Sequence, residues 1–163
     1  MSIRFEPITK EHLNEVTNIY NYYVENSTAT FHLQKVTEQE MGQTLCLGHP
    51  IYKSYLIYYN NKIAGLCYLG QFRKKEAYDI SAEVTLYIKP EFTGKKIGIE
   101  VLSFMEKTAK ELGLKNLVGV ITSENTSSLK LFERCGYFKC GHLKNIGIKF
   151  GRALDVISYQ KEI

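Results

Sequence analysis

The sequence predicts an α/β domain in which helices cover both faces of a mixed sheet. Three observations carry this. Two β-rich runs meet at Asn60-Asn61 in the middle of the chain, a hairpin signal because Asn tolerates the left-handed backbone of a tight turn. From Tyr78 onward, strand and helix patterns alternate: strand, helix, strand, helix, strand. Finally, 163 residues with 44% hydrophobic content suffice for one buried core, and no linker, repeat or low-complexity tract divides the chain. One domain over residues 1–163 is expected.

In order along the chain, Ile3 to Glu6 reads as a short strand. A helix starts at Thr9, with Leu13, Val16, Tyr20 and Tyr23 at the three-and-four spacing of one buried face. Ser27 to Leu33 is extended or looped. Thr37 and Glu40 have the spacing of a capping box, so a second helix begins there and buries Met41 and Leu45. The hairpin strands are Tyr55–Tyr59 and Lys62–Leu69. A long strand follows over Tyr78–Ile88 and stops at Pro90. Ile97–Leu112 is helical, with Gly113 as its stop. Leu117–Thr122 is a strand, Asn125–Cys135 holds a short helix stopped by Gly136, and two strands close the chain at about 137–148 and 153–160.

Composition narrows the function classes. A net charge of +4 suits an anionic ligand and is too small for a nucleic-acid partner. Cys46, Cys67, Cys135 and Cys140 form no CxxC pair and have no His at ligand spacing, so no metal site is expected. Cys67 and Cys135 read as small buried hydrophobes. The first residues carry no apolar leader and no run reaches membrane-spanning length, which points to a cytoplasmic protein without a membrane partner.

The first chemical signal is the strand–turn–helix over Leu86–Leu102. Free N–H groups at a helix start, together with its dipole, form an anion site. Gly94 and Gly98 keep side chains away from a phosphate, and Lys95 and Lys96 add charge. The alternative is an ordinary turn with solvated lysines. The spacing matches neither GxGxxG nor GxxxxGK[ST], so a pyrophosphate here belongs to neither of those nucleotide classes.

This turn resembles the pyrophosphate loop [QR]-x-x-G-x-[GA] of the GNAT superfamily of acetyltransferases. Gly98 fits, while Thr93 stands where Gln or Arg is usual and Lys96 where Gly is usual. Residues Asn125 to Tyr137 resemble the superfamily's N-x-x-[AS]-x-x-L-[YH]-E-x-x-G-[FY]; Phe132 replaces the Tyr or His that often protonates the leaving thiolate. Gly70 to Arg73, Ala77-Tyr78, Glu83 to Ile88, Lys149 to Asp155, and Ser27-Thr28 with Phe31 are similar to the phosphinothricin and methionine sulfoximine branch. The resemblance covers nearly the whole chain. It implies a GNAT-like fold with a mostly antiparallel sheet, an acetyl-CoA cofactor, a small amino-acid-like amine as acceptor, and a homodimer. It also implies that acetyl-CoA is held by Leu86, Tyr87 and Ile88, by Gly94 through Ile99 including Ile97, and by Asn125 and Ser128. The acceptor would lie against Phe31, Phe72, Arg73, Tyr78, Glu83, Val84, Thr85 and Lys149.

Glu83 also stands out without the resemblance. Ile80, Ala82, Val84, Leu86 and Ile88 alternate with Asp79, Ser81, Glu83, Thr85 and Tyr87, so Glu83 lies on the polar face of its strand. A carboxylate there is costly unless it is paired or has work to do. An ammonium must lose a proton before it can attack a thioester, and a partly buried carboxylate is a suitable base. The alternative is a structural ion pair. Arg73 either grips an acidic acceptor with two parallel hydrogen bonds or is solvated.

Overall fold

The computed structural model describes residues 1–163. Seven strands form one sheet: β1 (Ile3–Pro7), β2 (Ser54–Tyr59), β3 (Lys62–Gln71), β4 (Ser81–Ile88), β5 (Asn116–Thr122), β6 (Phe138–Lys149) and β7 (Arg152–Glu162). Their spatial order is β1-β2-β3-β4-β5-β7-β6. Only β4 and β5 run parallel; every other neighbouring pair is antiparallel. Four α-helices complete the chain: α1 (Leu13–Asn26), α2 (Glu38–Thr44), α3 (Ile97–Glu111) and α4 (Thr126–Arg134).

The period-two alternation of the strands sorts their side chains into two cores. Leu56, Leu66 and Tyr68 face α1 and α2, where they meet Val16, Ile19, Tyr20, Met41 and Leu45. Ile57, Cys67, Leu69, Ala82 and Val84 face α3 and α4 with Val101, Leu102, Met105 and Phe132. Each fully buried aliphatic side chain contributes roughly 1.5–3 kcal/mol. The two faces therefore hold their helices independently, and the central strands are held from both sides.

Local chemistry sets the boundaries. Asn60 and Asn61 take φ of 47° and 65°, the paired left-handed residues that match a two-residue turn to the sheet's twist. Thr37 and Glu40 form the reciprocal capping box of α2. Two expectations are corrected. The strand expected from Tyr78 begins at Ser81, because Glu76–Tyr78 closes a 3-10 turn in which Tyr78 and Asp79 bond back to Lys75 and Glu76. Ile80, expected in an apolar layer, is consequently outside the strand and exposed. Cys67 is fully buried as expected, but Cys135 is only partly so. No helix is long and apolar enough to cross a membrane.

Candidate active site

The site arises where the parallel pair comes apart. β4 and β5 are in register only from Ser81↔Asn116 to Glu83↔Val118, although β4 continues to Ile88 and β5 to Thr122. Beyond Glu83 the two strands diverge, and alternate N–H and C=O groups on their facing edges have no strand partner. A cleft of about 1080 Å³ opens there. The ring of Phe132 supports β5 from α4: a Cβ at Gly119 would collide with it, so only glycine lets the helix approach this closely.

One end of the cleft is built from helix starts. After the 3-10 turn at Pro90–Phe92 the chain turns through Gly94 (φ 75°) and Lys96 (φ 61°) directly into α3. No side chain caps α3, which leaves the first-turn N–H groups at Ile97 and Gly98 for a ligand. Leu86, Tyr87, Ile88, Gly94, Lys95 and Lys96 line this end. So do Ile97, Gly98, Ile99, Asn125 and Ser128. Lys130 and Arg134, one turn apart on α4, add to its rim, and none of the four basic side chains is in an ion pair. Asn125 caps α4, its side-chain oxygen accepting from the Ser128 N–H at 3.3 Å and the Ser127 hydroxyl at 3.2 Å. Gly98 has a packing reason beside the one expected. Its missing Cβ would lie 2.7 Å from a Leu131 methyl, so this glycine lets α3 pack on α4.

The other end is built from side chains. Glu83 is half-buried, makes no hydrogen bond and has no cation within ion-pair distance, so the alternative of a structural pair is not formed. Burial pushes its carboxyl above the usual range. Across the sheet it faces Gly70, beside which the space is open. Tyr68, two residues along β3 on the same face, lines the cleft. From α1, the Tyr20 hydroxyl bonds Thr30 Oγ1 at 2.6 Å and also His32 Nδ1, and the ring meets Tyr87 edge-on at 5.3 Å. The Tyr23 hydroxyl donates to the Ile88 carbonyl. Burial raises the pKa of all four tyrosines, which keeps them as neutral donors.

Among the residues expected against the acceptor, Phe31, Glu83, Val84 and Thr85 line this end. Phe72, Arg73 and Tyr78 do not. They cluster beyond the end of β3, Phe72 and Tyr78 with ring centres 5.7 Å apart and the Arg73 guanidinium 5.1 Å from the Phe72 ring centre. Lys149 is also outside the lining; it is 3% exposed and donates to the Thr30 carbonyl at 2.8 Å. Sequence reasoning missed Tyr20, Tyr23, Tyr68 and Thr30 as cleft residues. The spacing puts both Tyr20 and Tyr23 on the buried face of α1; the Tyr20 ring lies in the core, but Tyr23 is half-buried outside it with its ring against Tyr87, and the signal was the polar tip that an apolar position does not need.

The orphan N–H groups and unpaired cations at one end, and the exposed strand edge leading from them to Glu83, fit a pyrophosphate joined to an amide-bearing arm. Comparison with known proteins agrees. Residues 6–157 match the model of the acetyltransferase (GNAT) domain. The chain is similar to a phosphinothricin N-acetyltransferase of Streptomyces viridochromogenes, 29% identical over 98% of this chain and 87% of that protein. It is 28% identical to an L-methionine sulfoximine/L-methionine sulfone acetyltransferase of Salmonella typhimurium, over 100% of this chain and 95% of the relative. Its fold superposes with a TM-score of 0.94 on the acetyl-CoA complex of a phosphinothricin acetyltransferase from Sinorhizobium meliloti, at 28% identity over 100% of this chain and 89% of that one. The chain belongs to the GNAT acetyltransferase family and is an acetyl-CoA-dependent N-acetyltransferase.

Proposed function

We propose that the protein acetylates the amine of a small amino-acid-like acceptor by direct attack in a ternary complex, with Glu83 as the base. The observation that carries this is the unpaired, half-buried Glu83 carboxylate beside the open space at Gly70, in a cleft whose other end offers helix N–H groups. Bound acetyl-CoA supplies the acetyl group as a thioester, whose thiolate leaves readily. The free N–H groups at Ile97 and Gly98, with Lys95 and Lys96, hold the phosphates. Unpaired β4 backbone groups around Leu86, Tyr87 and Ile88 align the arm and bond the carbonyl oxygen as it gains negative charge. Glu83 removes the ammonium proton, its raised pKa bringing it nearer to the working pH. Phe132 carries no proton to donate and is 3% exposed, so its part is to support β5.

The names of the relatives support phosphinothricin, methionine sulfoximine and methionine sulfone as acceptors. Arg73 would serve their anionic tips from beyond the end of β3. A thiol-release assay over these three compounds, spermidine and an N-terminal peptide tests the class. Amino-acid analogues should react fastest, and faster acetylation of spermidine or of the peptide overturns it. Arg73→Ala should raise the Michaelis constant for anionic acceptors by about 10–100-fold, the equivalent of one charged hydrogen bond; an unchanged constant removes Arg73 from the site.

We further propose that a second copy of this chain covers β6 to give a homodimer working in the cytoplasm. β6 is an edge strand exposed almost throughout, and Leu143, Ile146, Ile148 and Phe150 are each more than half exposed around it. Such an edge needs a cover. Gly147 in β6 also abuts the ring of Phe31, which makes the strand continuous with the cleft wall. Sedimentation equilibrium should give twice the 18.7 kDa chain mass, and a monomer at micromolar concentration contradicts this.

A further inference from the structure

The wall of the cleft opposite β4 is a segment without regular secondary structure. Ala29, Thr30 and Phe31, between α1 and α2, line the cleft, while Thr28 and Thr30 are buried. Within the segment the Ala29 N–H bonds Ser27 Oγ and the His32 N–H bonds Thr30 Oγ1, which shape the turn locally, while its position against the sheet is fixed from outside. The Thr122 hydroxyl at the end of β5 donates to the Thr28 carbonyl at 2.5 Å. The Thr28 hydroxyl donates to Glu124 at 2.5 Å, and Arg152 holds the same carboxylate oxygen at 2.7 Å. At the end of β6, the Lys149 ammonium donates to the Thr30 carbonyl at 2.8 Å.

Lys149 is the unusual member. Its side chain is buried, no carboxylate lies within ion-pair distance, and its one protein acceptor is a neutral carbonyl, with the Phe150 ring centre 5.2 Å away. An ammonium in such a place is disfavoured, and burial lowers its pKa accordingly. An apolar residue would fill the space without that cost, so the bond to Thr30 is what the lysine adds. Thr30 leads inward: its Oγ1 bonds the Tyr20 hydroxyl at 2.6 Å, and the Tyr20 ring stands edge-on to Tyr87, on the same face of β4 as Glu83. A continuous chain thus runs from β6 through Lys149, Thr30 and Tyr20 to the strand that carries the base.

We propose that Lys149 is a positioning residue for the acceptor, setting Thr30 and through it the Tyr20 hydroxyl over the pocket without touching substrate. This rests on the reading that the acceptor binds at Glu83. The test is steady-state kinetics of wild type and Lys149→Met with an anionic amino-acid acceptor and its uncharged carboxamide counterpart. We expect the Michaelis constant for both acceptors to rise by the same factor, about tenfold, a charged hydrogen bond being worth that or more. The constant for acetyl-CoA should stay within about twofold, well inside one decade. In a Tyr20→Phe background the same substitution should add little, because both act on one chain of bonds.

A loss confined to the anionic acceptor would mean direct contact with the substrate and overturn the proposal. So would an equal rise for acetyl-CoA, or full additivity with Tyr20→Phe. Should Lys149→Met fail to fold, Thr30→Val must give the same split between acceptor and acetyl-CoA, since it leaves the Lys149 bond and cuts the next link; wild-type constants in that variant overturn the proposal equally. A wild type that acetylates none of the amines would instead defeat the proposed function, and hydrogen exchange at residues 29–32, expected to speed up in Lys149→Met, then decides this proposal by itself.

Discussion

The two ends of the cleft are made of different materials. The end proposed for the phosphates consists of backbone: the start of α3, the unpaired edge of β4 and the capped start of α4. Its elements are assembled from short stretches of sequence, and its side chains mostly keep out of the way. The end proposed for the acceptor consists of side chains brought from α1, the 27–32 segment, β3 and β4, and tied together by hydrogen bonds between residues far apart in sequence, such as Lys149 to Thr30 and Thr122 to Thr28. A backbone site tolerates substitution and holds a constant ligand. A side-chain site changes its ligand with a few replacements. The difference explains why the cofactor follows from membership of the family while the acceptor does not.

If the division is real, substitutions at one end should leave the other end's ligand alone. The largest effect belongs to Glu83→Gln, which keeps shape and removes the proton acceptor. Turnover should fall by roughly 10²–10⁴-fold, and less at high pH, where more of the amine is already neutral. Wild-type turnover near neutral pH would make Glu83 structural. Next, Gly70→Val fills the open space beside Glu83. It should raise the acceptor's Michaelis constant about tenfold, the equivalent of about 1.4 kcal/mol, by occupying the acceptor's space, with that for acetyl-CoA unmoved; equal changes in both would erase the boundary between the ends.

Stability gives a smaller signature with a definite sign. Because burial raises the Glu83 pKa in the folded protein, the folded state binds the proton more readily than the unfolded one. Its contribution is fully present below the unfolded carboxyl value and is lost as pH rises through the folded one. Glu83→Gln should therefore melt higher than wild type at neutral pH, with the gap closing under acid in thermal scans. An unchanged melting temperature at both pH values would show that the carboxylate is well solvated. The smallest effect is at the phosphate end. Lys96 holds φ of 61°, a conformation that costs a residue with a Cβ about 1–2 kcal/mol. Lys96→Gly should raise the melting temperature by roughly 2–8 °C while weakening acetyl-CoA by less than about tenfold, as expected for one exposed charge. A larger loss in calorimetry would make the lysine, rather than the helix start, the main phosphate ligand.

The same division governed what the sequence disclosed. The Asn60-Asn61 turn, the Thr37 capping box and the Gly94–Ile99 turn were legible because each is a local backbone requirement met by nearby residues. Glu83 was legible because strand alternation puts a carboxylate on the polar face of a central strand, where it is costly unless paired or used. Tyr20 and Tyr23 were not, because both follow the apolar spacing of α1, although only the Tyr20 ring lies in the core and it is their hydroxyl bonds that tie them to the cleft wall. Nor could spacing show that β7 inserts between β5 and β6, a pairing of distant segments that carries Lys149 to Thr30. Arg73 stands in the sequence shortly before the strand that carries Glu83, but β3 ends at Gln71 and β4 begins only at Ser81, so the intervening loop holds it beyond the end of the sheet.

The most direct test of the account is calorimetric titration of acetyl-CoA into Glu83→Gln, made on the same preparation whose turnover has been measured. The account predicts an acetyl-CoA dissociation constant within about twofold of wild type, a small fraction of one 1.4 kcal/mol decade, in an enzyme that has lost at least about a hundredfold in turnover. An affinity that falls along with turnover would show that Glu83 shapes the cofactor's half of the cleft, and would contradict the separation on which the mechanism rests.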